Sequence, residues 1–208
     1  MNAESLITFI LASTLLSLAP GPDNIFVLTQ SALYGRKSGI IITLGLCTGL
    51  IAHTSAVALG VAAIFMVSTL AFTTLKLIGA AYLLYLAWQA LKASARPLSS
   101  VSATAVPGHL ALYRRGIVMN LSNPKVAIFF LAFLPQFTDP DADNITLQLF
   151  LLGIIFIIVA LVMFSAIACL AGLIAELFKR STKAQAILNR ISALVFTTLA
   201  LRLAFASR

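Results

Sequence analysis

Leu18-Ala19-Pro20-Gly21-Pro22-Asp23-Asn24 interrupts an apolar run that spans residues 6–33. Two prolines and a glycine in three positions cannot continue a helix, because proline lacks an N–H and its ring clashes with the preceding turn. A second apolar run, residues 116–137, carries a related interruption, Asn120-Leu121-Ser122-Asn123-Pro124-Lys125. With Pro22 set against Pro124, Asp23 falls opposite Lys125. Each break thus places one ionisable residue directly after its proline, and the two have opposite sign.

Four further apolar runs cover residues 39–67, 70–90, 147–174 and 186–206. A helix needs about 20 mostly apolar residues to cross a bilayer. The chain of 208 residues is 61% hydrophobic and 10% charged, against roughly 45–50% and 25% in soluble domains. The expected fold is an all-α integral membrane protein with six transmembrane helices. Residues 1–92 form a first three-helix repeat, 93–114 a cytoplasmic linker rich in Ser, Ala and Pro, and 115–208 a second three-helix repeat. Three spans per half make the repeats inverted, and interrupted helices at matching positions are a sign of that architecture. The first helix of each repeat is the broken one, with Pro20, Gly21, Pro22 and Pro124 as the helix breaks.

The net charge of +8 reads as loop charge that fixes topology, not as a nucleic-acid surface. Arg36 and Lys37 lie on the first connection; Lys92, Arg96, Arg114 and Arg115 on the third; Lys179, Arg180 and Lys183 on the fifth, with Arg190 just beyond. The second connection, near Ser68, holds no charge, and the fourth holds Asp139, Asp141 and Asp143. Basic connections face the cytoplasm, which puts both termini in the periplasm of a multi-pass protein of the bacterial inner membrane. Arg202 and Arg208 run against this, near the end of the last helix. The first run is not read as a signal peptide, because Glu4 rather than a basic residue precedes it.

A charge at membrane depth costs about 2.5–3.5 kcal/mol on insertion scales, so intramembrane charges mark function. Asp23 is the acid well inside an apolar run, and Lys125 the base in the middle of the fourth. A helix fragment restarting at each break offers free N–H groups, which suit a carboxylate. The pair reads as a site for a zwitterion, with Asp23 facing an amino group and Lys125 a carboxylate. The bland alternative is a salt bridge that pins the two halves together. Asn24, Asn120 and Asn123 either cap freed backbone or bind substrate. Gln30 lies nearly two turns past Asp23 on the same path, and Tyr82 is a lesser pocket residue. His53 reads as a hydrogen-bonded helix contact before a proton carrier.

With Tyr34-Gly35-Arg36-Lys37-Ser38-Gly39, Gly79-Ala80-Ala81-Tyr82-Leu83 and Leu134-Pro135-Gln136-Phe137 added to the two break motifs, the sequence resembles the LysE/RhtB family of bacterial amino-acid exporters over nearly its whole length. The resemblance implies export of an amino acid such as homoserine, threonine, lysine, arginine or leucine, driven by the proton gradient. If protons are exchanged, Asp23 is the proton carrier by elimination. No cofactor is expected, and no enzyme: the HExxH, paired-aspartate and Ser-His patterns are missing. Metal ligation is not expected of a single intramembrane acid, although an exporter of another small cargo such as a cation, or a membrane scaffold, is the competing reading. The partners implied are a small amino acid, protons and the lipid bilayer. A homodimer fits a chain of this size, with no residue marking an interface.

Overall fold

The computed structural model describes residues 3–61, 69–93, 108–139 and 144–205, and every element among them is helical. Helices α1 (Ala3–Leu18) and α2 (Pro22–Tyr34) meet at 57° across the first proline break. Helix α3 (Arg36–Ala56) runs on through a wider turn, Val57–Val61, and α4 spans Thr69–Lys92. Helices α5 (His109–Leu121) and α6 (Pro124–Ile128) form the second bent pair. The latter continues through a wide turn, Phe129–Phe133, and a tight one, Leu134–Phe137, and its bend from α5 is 50°. Helices α7 (Ile145–Arg180) and α8 (Thr182–Phe205) complete the chain.

Among the described residues four of these helices are long and apolar enough to cross a membrane, and the count rises to six if each bent pair is one broken span. Both breaks fall where proline chemistry requires. Pro22 and Pro124 are each the first residue of the second fragment, where a missing N–H costs nothing. Asp23 and Lys125 therefore occupy the same position, second in the restarting helix.

The fourth run starts earlier than hydropathy indicates. Helix α5 begins at His109, so the last part of the expected linker is helical. Its polar residues, Arg114 and Arg115 among them, are exposed, as an interfacial turn allows. Residues 94–107 of that linker, Arg96 among them, the connection near Ser68, and Asp141, Asp143 and Arg208 lie outside the described residues.

Lipid is as apolar as leucine, so helices in a membrane associate through close packing and polar contacts. Helix α3 is the centre of that packing, against α5 on one side and α7 on another. It touches α5 through facing glycines: a Cβ on Gly45 would meet the carbonyl oxygen of Tyr113, and one on Gly116 would lie 2.5 Å from the carbonyl oxygen of Ile42. Helices α1 and α2 lie against α7, and α4 pairs with α8. The outer surface is lined with exposed Ile51, Ile154, Val162, Leu173 and Leu194, as a lipid-facing surface requires. Inside, Phe9, Phe129, Phe130, Phe133, Phe137 and Phe156 form a ring cluster with centroids from 4.9 to 6.3 Å apart.

The two ends of the bundle are distinct. At one, the Asn189 side chain, in the first half of α8, donates to the Ala93 carbonyl just past α4 at 3.0 Å. At the other, the Arg202 guanidinium stacks 5.3 Å from the Phe137 ring, which in turn meets Phe9 at 5.1 Å.

Candidate functional site

The first break leaves backbone acceptors without donors. In a continuous helix the Leu16 carbonyl would accept from the N–H of residue 20, and that of Leu18 from residue 22. Both positions are proline. The chain is extended at Gly21 (φ −161°, ψ 177°), so the last turn of α1 ends open. One of its carbonyls, Ser17 O, is covered locally by the Asn24 amide at 2.6 Å. Two others are covered from the second half of the chain: the Lys125 ammonium donates to Leu16 O at 3.3 Å and to Ala19 O at 3.1 Å.

Gly21 makes room for that crossing. A Cβ there would lie 3.0 Å from Lys125 Nζ and 3.4 Å from its Cε. Lys125 is 4% exposed and Asp23 1%, so both charges are withdrawn from lipid and water. The second break is closed by its own residues. Asn123 caps α6 by accepting from the Lys125 N–H at 3.0 Å, and the Asn120 carbonyl receives the Asn123 N–H at 3.0 Å. His53 Nε2 lies 3.2 Å from that same Asn120 oxygen, and its ring is 5.7 Å from Phe130. The Asn120 side chain rests on Gly49, one turn before His53: a Cβ on Gly49 would lie 2.7 Å from Asn120 Oδ1.

Asp23 and Lys125 line one small cavity with Ser17, Asn120, Leu16, Leu50, Val126, Phe156 and Phe164. Its free space admits about one water molecule. Asn120, Asn123, Lys125 and His53 are the polar groups surrounding the Asp23 carboxylate. Buried polar atoms are normally hydrogen-bonded. Here Ser17 Oγ, Asp23 Oδ1, Asn24 Oδ1, Asn120 Oδ1 and Asn123 Nδ2 are buried without a partner among the described residues. These five border the two breaks, and two more, Ser13 Oγ in α1 and Ser31 Oγ in α2, are likewise unpartnered among the described residues.

The structure brings together Asp23, Asn24, Asn120, Asn123 and Lys125. It does not bring Gln30 or Tyr82 to the cavity. Gln30 is seven residues past Asp23, about 10 Å along the axis of α2 at 1.5 Å per residue. Tyr82 is on α4, on the far side against α8, with its ring 5.9 Å from that of Tyr85. The residues that pattern reading missed are Ser17 and the carbonyls of Leu16 and Ala19. The signal for Leu16 was present, since a proline four residues later deletes the donor its carbonyl needs.

The two helix breaks thus bring one buried acid and one buried base to a single cavity. The model of the LysE type translocator family matches residues 14–207. The chain belongs to the LysE type translocator family. Among its relatives, a homoserine/homoserine lactone efflux protein of Salmonella typhimurium is 38% identical over 180 residues, 86% of each chain. The protein with the same description from Salmonella typhi is 37% identical over the same share. An uncharacterized membrane protein of Vibrio cholerae is 35% identical over 174 residues, 83% of this chain and 84% of that one. No solved structure matches the chain. The LysE match takes in both breaks and every cavity-lining residue.

Proposed function

We propose that this LysE-type translocator exports an amino acid from the cytoplasm by proton antiport, with Asp23, Asn24, Asn120, Asn123 and Lys125 as its substrate site. The observation that carries the reading is one cavity lined by both a buried carboxylate and a buried ammonium. Intramembrane charges are costly and mark substrate or ion pathways. A zwitterionic amino acid complements both signs at once, and the unpartnered polar atoms around the cavity supply further donors and acceptors. Homoserine is our first candidate, a choice supported by relatives described as homoserine/homoserine lactone efflux proteins.

Asp23 is the proposed proton carrier. Protonation and the approach of a substrate ammonium would compete at its carboxylate, which is a minimal coupling device. The helix pairing supports the inverted-repeat reading. Exchanging the first half for the second turns the α3–α5 contact into that of α7 with α1 and α2, and maps α3–α7 and α4–α8 onto themselves. Such a pair of repeats moving about a fixed midplane site is the usual route to alternating access. Basic connections on the cytoplasmic side, with both termini in the periplasm, complete the proposed arrangement in the inner membrane.

An export screen tests the proposal. Cells overexpressing the chain are loaded in turn with each of the twenty amino acids and homoserine, and efflux is followed. Accelerated efflux of at least one, collapsing when the proton gradient is dissipated, is the expected result. Efflux at the rate of empty-vector cells for every compound would overturn it.

A further inference from the structure

Lys125 stands where a lysine is least at home. It is the second residue of α6, at the end of a helix where backbone N–H groups point outward and a positive charge is disfavoured. Its side chain leaves that end and crosses to the opposite kind of end, the carbonyl terminus of α1. There the missing N–H of Pro20 has left Leu16 O free to accept. The ammonium is thus held by another helix's negative pole, with Asp23 bordering the same cavity.

The place it occupies holds more acceptors than it uses. Ser17 Oγ, Asp23 Oδ1 and Asn24 Oδ1 are buried and unpartnered among the described residues. Asn24 Oδ1 and Lys125 Nζ approach the same face of Gly21, at 3.7 and 3.0 Å from the position a Cβ would take. A primary ammonium carries three donors, and a ring of carbonyls, a carboxylate and neutral oxygens is its natural complement. The cavity, meanwhile, has room for about one water beside the docked lysine. An amino acid therefore cannot enter with its ammonium directed at Asp23 unless Lys125 withdraws.

We infer that the carbonyl end of α1 is a seat for a primary ammonium, filled by the Lys125 side chain when the carrier is empty and taken over by the substrate's own ammonium during transport. The inference rests on the amino-acid reading above and adds an exchange to it. One ammonium replaces another at the α1 carbonyls, so those acceptors have a donor both in the empty carrier and in the loaded one. The displaced lysine, on its flexible four-carbon stem, is then free to meet the substrate's carboxylate. The same side chain closes the empty carrier and recognises the loaded one.

The test uses n-butylammonium, a primary ammonium with no carboxylate, on the full-length protein in lipid nanodiscs. Thermal unfolding is followed for wild type, Lys125→Ala and Lys125→Met in equal concentrations of n-butylammonium, choline or sodium chloride. Choline carries charge without N–H donors. The expected result is a rise of several degrees in the midpoint of Lys125→Ala in n-butylammonium alone, with a smaller rise for Lys125→Met, whose stem fills the path, and none for wild type. Equal midpoints for Lys125→Ala in all three salts would overturn the seat. So would a sodium effect as large as that of n-butylammonium. Should Lys125→Ala aggregate, recovery of monodisperse protein by purification in n-butylammonium but not in choline supports the seat, and aggregation in both counts against it. No amino acid is involved, so an empty export screen leaves this result standing, and a working exporter that ignores n-butylammonium loses the seat alone.

Discussion

Lys125 Nζ lies 3.1 Å from the carbonyl oxygen of Ala19, a residue 106 positions earlier in the chain. The two helix breaks are therefore fastened to each other as well as being similar. Whatever opens the first break must also release the second. Variants that change the acceptors at α1, without touching the lysine, should report on that fastening.

Pro20→Ala is the first such variant. It returns an N–H to the position that Leu16 O would use in a continuous helix, in competition with Lys125. Pro20 lies in the unwound stretch between α1 and α2, so the variant disturbs no helix interior and is expected to fold with an unfolding midpoint near that of wild type. Export should nevertheless fall by about tenfold. Wild-type efflux from Pro20→Ala would show that the open turn is not needed.

Asp23→Asn keeps the shape of the side chain and removes its charge. The variant is expected to insert normally, with any remaining substrate flux in proteoliposomes indifferent to an imposed pH gradient. The measurement is efflux with the lumen buffered above, at and below the external pH. A gradient response equal to that of wild type would assign proton coupling to another group.

The α3–α5 contact gives a stability prediction. A side chain at Gly45 would meet the Tyr113 backbone, whereas a Cβ at Gly60 would meet nothing within 4 Å. Overpacking costs about 1–3 kcal/mol and occasionally more. Gly45→Val should lower the unfolding midpoint sharply or prevent recovery of folded protein, while Gly60→Val should behave as wild type. Equal stability of the two would place the α3–α5 packing in error.

His53 is assigned to structure by its bond to the Asn120 carbonyl at 3.2 Å. A neutral hydrogen bond contributes about 0.5–1.5 kcal/mol net. His53→Gln can keep a donor near that oxygen and should retain export and its pH dependence. His53→Phe should destabilise by about 1 kcal/mol in chemical or thermal unfolding. Loss of gradient-driven export in His53→Gln, with stability intact, would instead make the imidazole part of the proton path.

The breaks were legible in the sequence because they follow from the covalent chemistry of proline, which no tertiary context overrides. Asp23 and Lys125 were legible for a related reason: a charge in the middle of an apolar run is expensive, and the chain carries one of each sign next to a break. The start of α5 at His109 was not, since polar residues in an interfacial helix look like loop. The direction taken by the Lys125 side chain was not legible either. Its acceptors are backbone atoms more than a hundred residues away, and backbone carbonyls leave no residue-type signature. Gln30 and Tyr82 lie outside the cavity lining. Only its distance past Asp23 sets Gln30 on the path, while Tyr82 reads first as a packing aromatic, and its ring meets that of Tyr85.

Gly35 has a mechanical consequence. It alone separates α2 from α3, with φ at +85°, a conformation that side-chain-bearing residues rarely adopt. Its N–H bonds back to Ser31 O at 2.9 Å and its carbonyl forward to the Ser38 N–H at 3.0 Å. Both bonds close the elbow, so a tilt of α2 is passed to α3 while they hold. The unwound stretch of residues 19–21 at the other end of α2, beside Asp23 and Lys125, has no such pair of backbone bonds across it among the described residues and is where such a tilt would be taken up.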